Sequence, residues 1–229
     1  MKTQVAVMAG AALLAASSSA RAQKASQTAG NRRRKGQDEL IEVLQKPEAT
    51  RKEKADALRV LAQVGDRACV PAVAPLLRDE EAADMARYAL EPIPDPAVDD
   101  ALRAVVAEAQ GRPLIGAIAS LGVRRDVKAV PALSAKLADA DPQVAVAAAK
   151  ALGSIGTLPA ANALRDALGK SQAAPHAAAV EGLFRAAESL AALGRHAEAA
   201  EAYEALAHSA APEGAKEVAA KRAEELRKA

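Results

Sequence analysis

Cysteine is almost missing from this chain: Cys69 is the only one in 229 residues, so no intramolecular disulfide can staple the fold. Cys69 falls in the apolar phase of its segment and reads as a small buried hydrophobe. Tryptophan is absent, and one Phe and two Tyr leave any core to Ala, Leu, Val and Ile. Such small side chains suit close helix-on-helix packing, and the shortage of aromatics argues against sheets. The three histidines, His176, His196 and His208, never recur at the three- or four-residue spacing that turns two imidazoles toward one metal. There is no Gly-rich phosphate loop, no HExxH, no CxxCH and no G-x-S-x-G elbow, which removes the common phosphate, zinc, haem and serine-hydrolase chemistries. Neighbouring acids such as Asp99-Asp100 and Glu80-Glu81 diverge by about 100° on a helix and cannot converge as an acid–base pair. No catalytic residue, cofactor site or metal ligand is therefore expected.

A run long enough to span a bilayer is also lacking. The opening MKTQVAVMAGAALLAASSSARA has one Lys, an apolar run from Val5 to Ala16, a small polar stretch and Ala20-Arg21-Ala22. That order reads as a secretory signal peptide, residues 1–22, cleaved after Ala22, with an apolar run too short for a comfortable span. An exported protein of the periplasm or extracellular space is expected, and no lipid-anchor cysteine sits near the cleavage site. The 31 basic residues fall to 29 once Lys2 and Arg21 leave, against 29 acidic ones. A neutral exported chain lacks the electrostatic footprint of a nucleic-acid binder. Residues 23–36, QKASQTAGNRRRKG, have no apolar periodicity and read as a flexible basic tether. Its run Arg32, Arg33, Arg34, Lys35 reads as an exposed arm or as a weak contact with anionic lipid headgroups, worth about 1 kcal/mol per charge.

What the chain does have is repetition. DRACVPAVAPLL at residues 66–77 returns as DVKAVPALSAKL at 126–137. The cap-type residues Asp66, Asp95, Asp126 and Thr157 are 29, 31 and 31 positions apart, each able to accept from a first-turn amide. Seven and eleven positions beyond them stand Val73 and Leu77, Leu102 and Val106, Leu133 and Leu137, Leu164 and Leu168, a spacing that puts each pair on one helix face. Second helices end at Gly65, Ile93, Gly122 and Gly156, with Leu58 and Leu61, Ala86 and Ala89, Ile115 and Ile118, Ala149 and Leu152 in matching register. A further pair in front makes about five helix pairs over residues 37–175, with a period near thirty. Pro71 and Pro131, five residues past a cap, are expected to remove an early amide bond and bend the first helices.

The phrases RDVKAVPALSAKLADADPQVAVAAAKALGSIG and GDRACVPAVAPLLRDEEAADMARYAL resemble HEAT repeats, in particular the short bacterial phycobilisome-lyase-like form. The resemblance implies an all-α fold, a right-handed α-solenoid of antiparallel helix pairs with the second helices on the concave side. Residues 176–229 are different: EGLFRAAESLAALGRHAEAAEAYEALA resembles a tetratricopeptide hairpin turning at Gly194, with Ala199, Ala202 and Tyr203 packed inward, followed by a charged helix that caps the array.

On the second helices, the positions six and two before each end marker are Arg59 and Gln63, Arg87 and Glu91, Gly116 and Ser120, Lys150 and Ser154. With Tyr88 beside Arg87 as an amphipathic anchor, they form a short basic row expected to face an extended acidic or polar protein or peptide. Asp56 and Asp84 stand three residues before Arg59 and Arg87 and offer the competing reading, internal neutralisation. The resulting expectation is a non-enzymatic, monomeric, exported scaffold for a protein or peptide partner. The alternatives are an accessory module of a larger envelope enzyme or haem-protein system, and a bilin-lyase-type chaperone or enzyme.

Overall fold

The computed structural model describes residues 34–170 and 175–228. The leader 1–22, most of the tether and its Arg32 and Arg33 lie outside the described residues. Arg34 to Gly36 are already helical and open α1 (34–45), so the tether ends before its expected boundary. All regular structure among the described residues is helical, and no described helix is long and apolar enough to cross a membrane.

The chain folds as alternating first and second helices. After α1 comes α2 (Arg51–Val64). A broken first helix follows, made of a 3₁₀ turn Arg67–Cys69, α3 (Val70–Val73) and a second 3₁₀ segment Ala74–Arg78. The second helix of that pair is α4 (Ala83–Leu90). Then come α5 (Pro96–Glu108) with α6 (Gly111–Val123), and α7 (Val130–Lys136), opened by a 3₁₀ turn Val127–Ala129, with α8 (Pro142–Ile155). The last elements are α9 (Leu158–Lys170), α10 (Pro175–Ala192), α11 (His196–Ala207) and α12 (Glu213–Lys228).

Local chemistry explains the starts and stops. Thr50 and Glu53 form a reciprocal capping box on α2, and this hydrogen bonding holds the Glu53 carboxyl below its ordinary range. Asp66, Asp95 and Asp126 accept from the amides of Ala68, Ala97 and Lys128, satisfying groups the helix leaves open. Thr157 differs from expectation. Its carbonyl accepts the first turn of α9 from Ala161, but its buried hydroxyl has no hydrogen-bond partner among the described residues. Pro71 and Pro131 also differ. A 3₁₀ turn intervenes after each cap, so each proline lies in the first two positions of its α-helix, where a missing amide costs no intrahelical bond. The expected bend is replaced by this two-stage start.

The core runs unbroken through the stack. All eight aliphatics expected on the first helices are buried, and so are seven of the eight residues on the second helices; Ile115 alone is only partly covered. Layering follows: α2, α4, α6, α8 and α10 pack side by side, and first helices cover one flank. α10 packs on both α8 and α9, so the second-helix row continues past residue 175. Gly194, at φ 74°, turns the chain between α10 and α11, and Ala199, Ala202 and Tyr203 are buried. The Tyr203 ring meets Phe184 edge-on, with centroids 5.8 Å apart, and lies 6.0 Å from the Arg222 guanidinium. Its hydroxyl donates to Glu188. Burial and that carboxylate push the phenol's pKa upward. These contacts tie α10, α11 and α12 together. Stacked helix pairs sharing one continuous core are the defining trait of an α-solenoid.

Candidate partner-binding face

The row read from sequence divides into three environments. Arg59 is exposed and bonded to Asp56 one turn earlier, and Gln63 is exposed. Tyr88 is 52% exposed beside them in register. Arg87, Glu91 and Ser120 form a closed network. Arg87 bonds Asp84 at 2.6 Å, lies 3.7 Å from Glu91 and reaches Ser120 Oγ at 3.4 Å. Ser120 donates to Glu91. Arg112 of the next second helix also bonds Asp84, at 2.8 Å, and the hydrogen bond from Arg87 first, then both guanidinium charges, hold that carboxyl below its ordinary range. Ser120 is fully buried. Its place on an open binding row is therefore corrected: the hydroxyl is consumed between two helices, out of a partner's reach.

Gly116, the gap in the basic row, has a different purpose. A Cβ there would run into the Arg87 guanidinium, so the missing side chain is the seat on which Arg87 lies across from α4 to α6. A continuous cationic track is thus not what the geometry presents; Asp56 and Asp84 at i,i+3 and Glu91 at i,i+4 neutralise its first half.

The third environment is open. Lys150 is exposed and its ammonium has no ion-pair partner among the described residues. One turn later Ser154 donates to the Lys150 carbonyl at 3.1 Å and accepts from Arg185 of α10 at 3.4 Å. Lys150 and Ser154 border a groove of about 530 Å³ between α6 and α8, walled by Ile115, Ala119, Val123, Val146 and Ala147. Val123 is 71% exposed. The groove and Arg185 are absent from the sequence-based set. Arg185 and Ser189 continue the four-residue pairing of Lys150 and Ser154, so carrying the count past residue 175 finds them; Ile115, scored as stripe, is the groove wall.

Behind this face the repeats are locked by arginines. The turn after α6 puts Arg125 in the left-handed region at φ 53°, with the Asp126 amide returning to the Leu121 carbonyl. This aims Arg124 backward onto the carbonyls of Glu91 and Ile93, each at 2.8 Å, and Asp95 at 3.2 Å. Arg124 also pairs with Asp99, and Arg103 pairs with Asp126 and Asp100. Asp99 is thus a largely covered structural anchor, while Asp100 holds Arg103 from a side chain that stays 69% exposed. Elsewhere, burial pushes the Cys69 thiol up to about 11, leaving it an unreactive core group. No three His, Cys, Asp or Glu side chains among the described residues are placed to hold a metal ion.

Fold and face together define a helical-repeat protein. More specifically, residues 114–184 match the family model described as HEAT repeats. The match takes in the groove and ends within α10. No curated protein matches the chain. Among 41 matching chains of solved structure, one is a crystallised engineered protein, 18% identical, covering 84% of this chain and 96% of its own, at a TM-score of 0.47.

Proposed function

We propose that this chain is an exported, non-catalytic scaffold that holds a protein partner on the open face of its second helices, centred on the groove between α6 and α8. The observation that carries this reading is the groove itself. Apolar side chains of a helical array are left uncovered there, in the segment that matches HEAT repeats, whereas the arginines of the row are taken up by internal pairs. Contiguous exposed apolar surface of this kind marks interaction sites on soluble proteins. Residues 1–22 support export, and the basic run from Arg32 to Lys35 adds a weak association with anionic envelope lipids.

Capture from envelope extract tests the reading, with wild type set against Ala119→Arg, a change at an exposed groove position that leaves the core intact. A partner held by wild type and reduced about tenfold by the variant, with both proteins melting alike, is the expected result. Equal recovery by both proteins overturns the groove as the centre of binding.

A further inference from the structure

The groove's chemistry specifies the shape of its guest. We infer that the groove between α6 and α8 receives an amphipathic α-helix of a partner protein, with an apolar stripe on Ile115, Ala119, Val123 and Val146 and a carboxylate beside the stripe paired with Lys150. This rests on the scaffold reading above and narrows it.

An extended segment is disfavoured by what the groove lacks. The N–H and C=O groups of a strand-like guest that turn toward the walls would find little there to exchange for water. Along the interior turns of α6 and α8 the groove's backbone groups are spent within the helices, and the Ser154 hydroxyl is already bonded to the Lys150 carbonyl and to Arg185. A helix brings its backbone bonds with it and offers only side chains. The wall suits such a guest: Ala119 and Ala147 beside larger Ile115 and Val146 make a ridged surface that allows an axis-to-axis approach of about 8–10 Å. From Pro142 to Ser154 the α8 wall runs about 18 Å, the length of about twelve helical residues.

Charge fixes the rest. Arg59, Arg87 and Arg185 already hold Asp56, Asp84 and Glu181, while Lys150 holds no carboxylate. A guest acid placed one turn along the stripe completes the member of that basic row that has no ion-pair partner among the described residues. The chain's own residues 1–33 contain no Asp or Glu and cannot supply it.

The test uses the full chain with labelled Ile and Val methyl groups, titrated with a synthetic amphipathic peptide of about fourteen residues bearing leucines at helical spacing and one flanking glutamate. Comparison probes are the same peptide with lysine for glutamate, a version interrupted by proline, and dodecanoate. The expected result is methyl shifts at Ile115, Val123 and Val146, binding roughly tenfold weaker for the lysine peptide, and a reversed preference in Lys150→Glu. The proline peptide should not bind. Equal binding of the proline peptide, indifference to charge, shifts confined to Val60 and Val64, self-association without peptide, a response to dodecanoate alone, or no response at all each overturn the proposal. If no peptide responds but Ala119→Arg still loses a captured partner, the helix fails and the scaffold stands.

Discussion

Between α4 and α6 the second helices touch through a guanidinium; between α6, α8 and α10 they touch through bare backbone. Arg87 lies over Gly116 and bonds Ser120, with Arg112 returning to Asp84. One repeat further on, a Cβ added at Gly122 would lie 2.7 Å from the Ala151 Cα, and one at Gly153 only 2.6 Å from the Gly182 Cα. The same repeat register is thus joined in two ways. The charged joint tolerates adjustment and uses up the polar groups that could have met a partner. The glycine joint admits no side chain, draws the helices together, and leaves Lys150 and the neighbouring apolar wall uncovered among the described residues.

The sharpest break of this contrast is Gly153→Val, which forces a branched side chain into the backbone of α10. A loss of about 3 kcal/mol or more is expected, read by urea unfolding. Gly169→Ala, where no atom would come within 4 Å of the new Cβ, should instead be neutral or gain up to about 1 kcal/mol of helix propensity. Equal behaviour of the two variants would refute close packing at Gly153. Next comes Arg124→Ala, which strips three carbonyls and Asp99 of their shared donor and should cost about 2 kcal/mol, again by denaturation. Arg87→Ala removes the charged joint and is expected to cost about 1 kcal/mol, with the difference from wild type shrinking in high salt; a salt-independent loss would place its contribution in packing instead.

The smallest effect is in acid. Asp66 is held below the ordinary carboxyl range by the Gln37 side chain and the Ala68 amide, and Asp84 by the Arg87 and Arg112 guanidiniums. Because these folded values are lowered, the stability they add is present above about pH 4 and drains away as the pH falls through them. Melting temperature followed from pH 6 to pH 3 should stay level and then drop, and Asp84→Asn should soften the drop.

Much of the architecture was legible before any coordinates, because packing residues must recur when repeats stack. The caps at Asp66, Asp95 and Asp126 and the aliphatic pairs behind them needed only local chemistry and a count. The site was less so. Whether Arg59 and Arg87 face a partner or their own Asp56 and Asp84 depends on side-chain distances that spacing leaves open. Arg124 was equally opaque in its detail: its bonds to Glu91, Ile93 and Asp95 cross about thirty residues and exist only once the turn at Arg125 has aimed it. The one failure of the counted stripe, Ile115, is informative. It is apolar in the right register yet only partly covered, and it marks where the array leaves room for something else.

The contact of Gly153 with Gly182, and of Gly122 with Ala151, has a kinetic consequence. With α6, α8 and α10 held at backbone distance, the groove floor has a fixed width and exists before any guest arrives. A guest of the kind proposed would then meet the groove with no rearrangement preceding it. Changes to the groove wall should therefore leave arrival rates nearly constant and be felt in how long a guest stays.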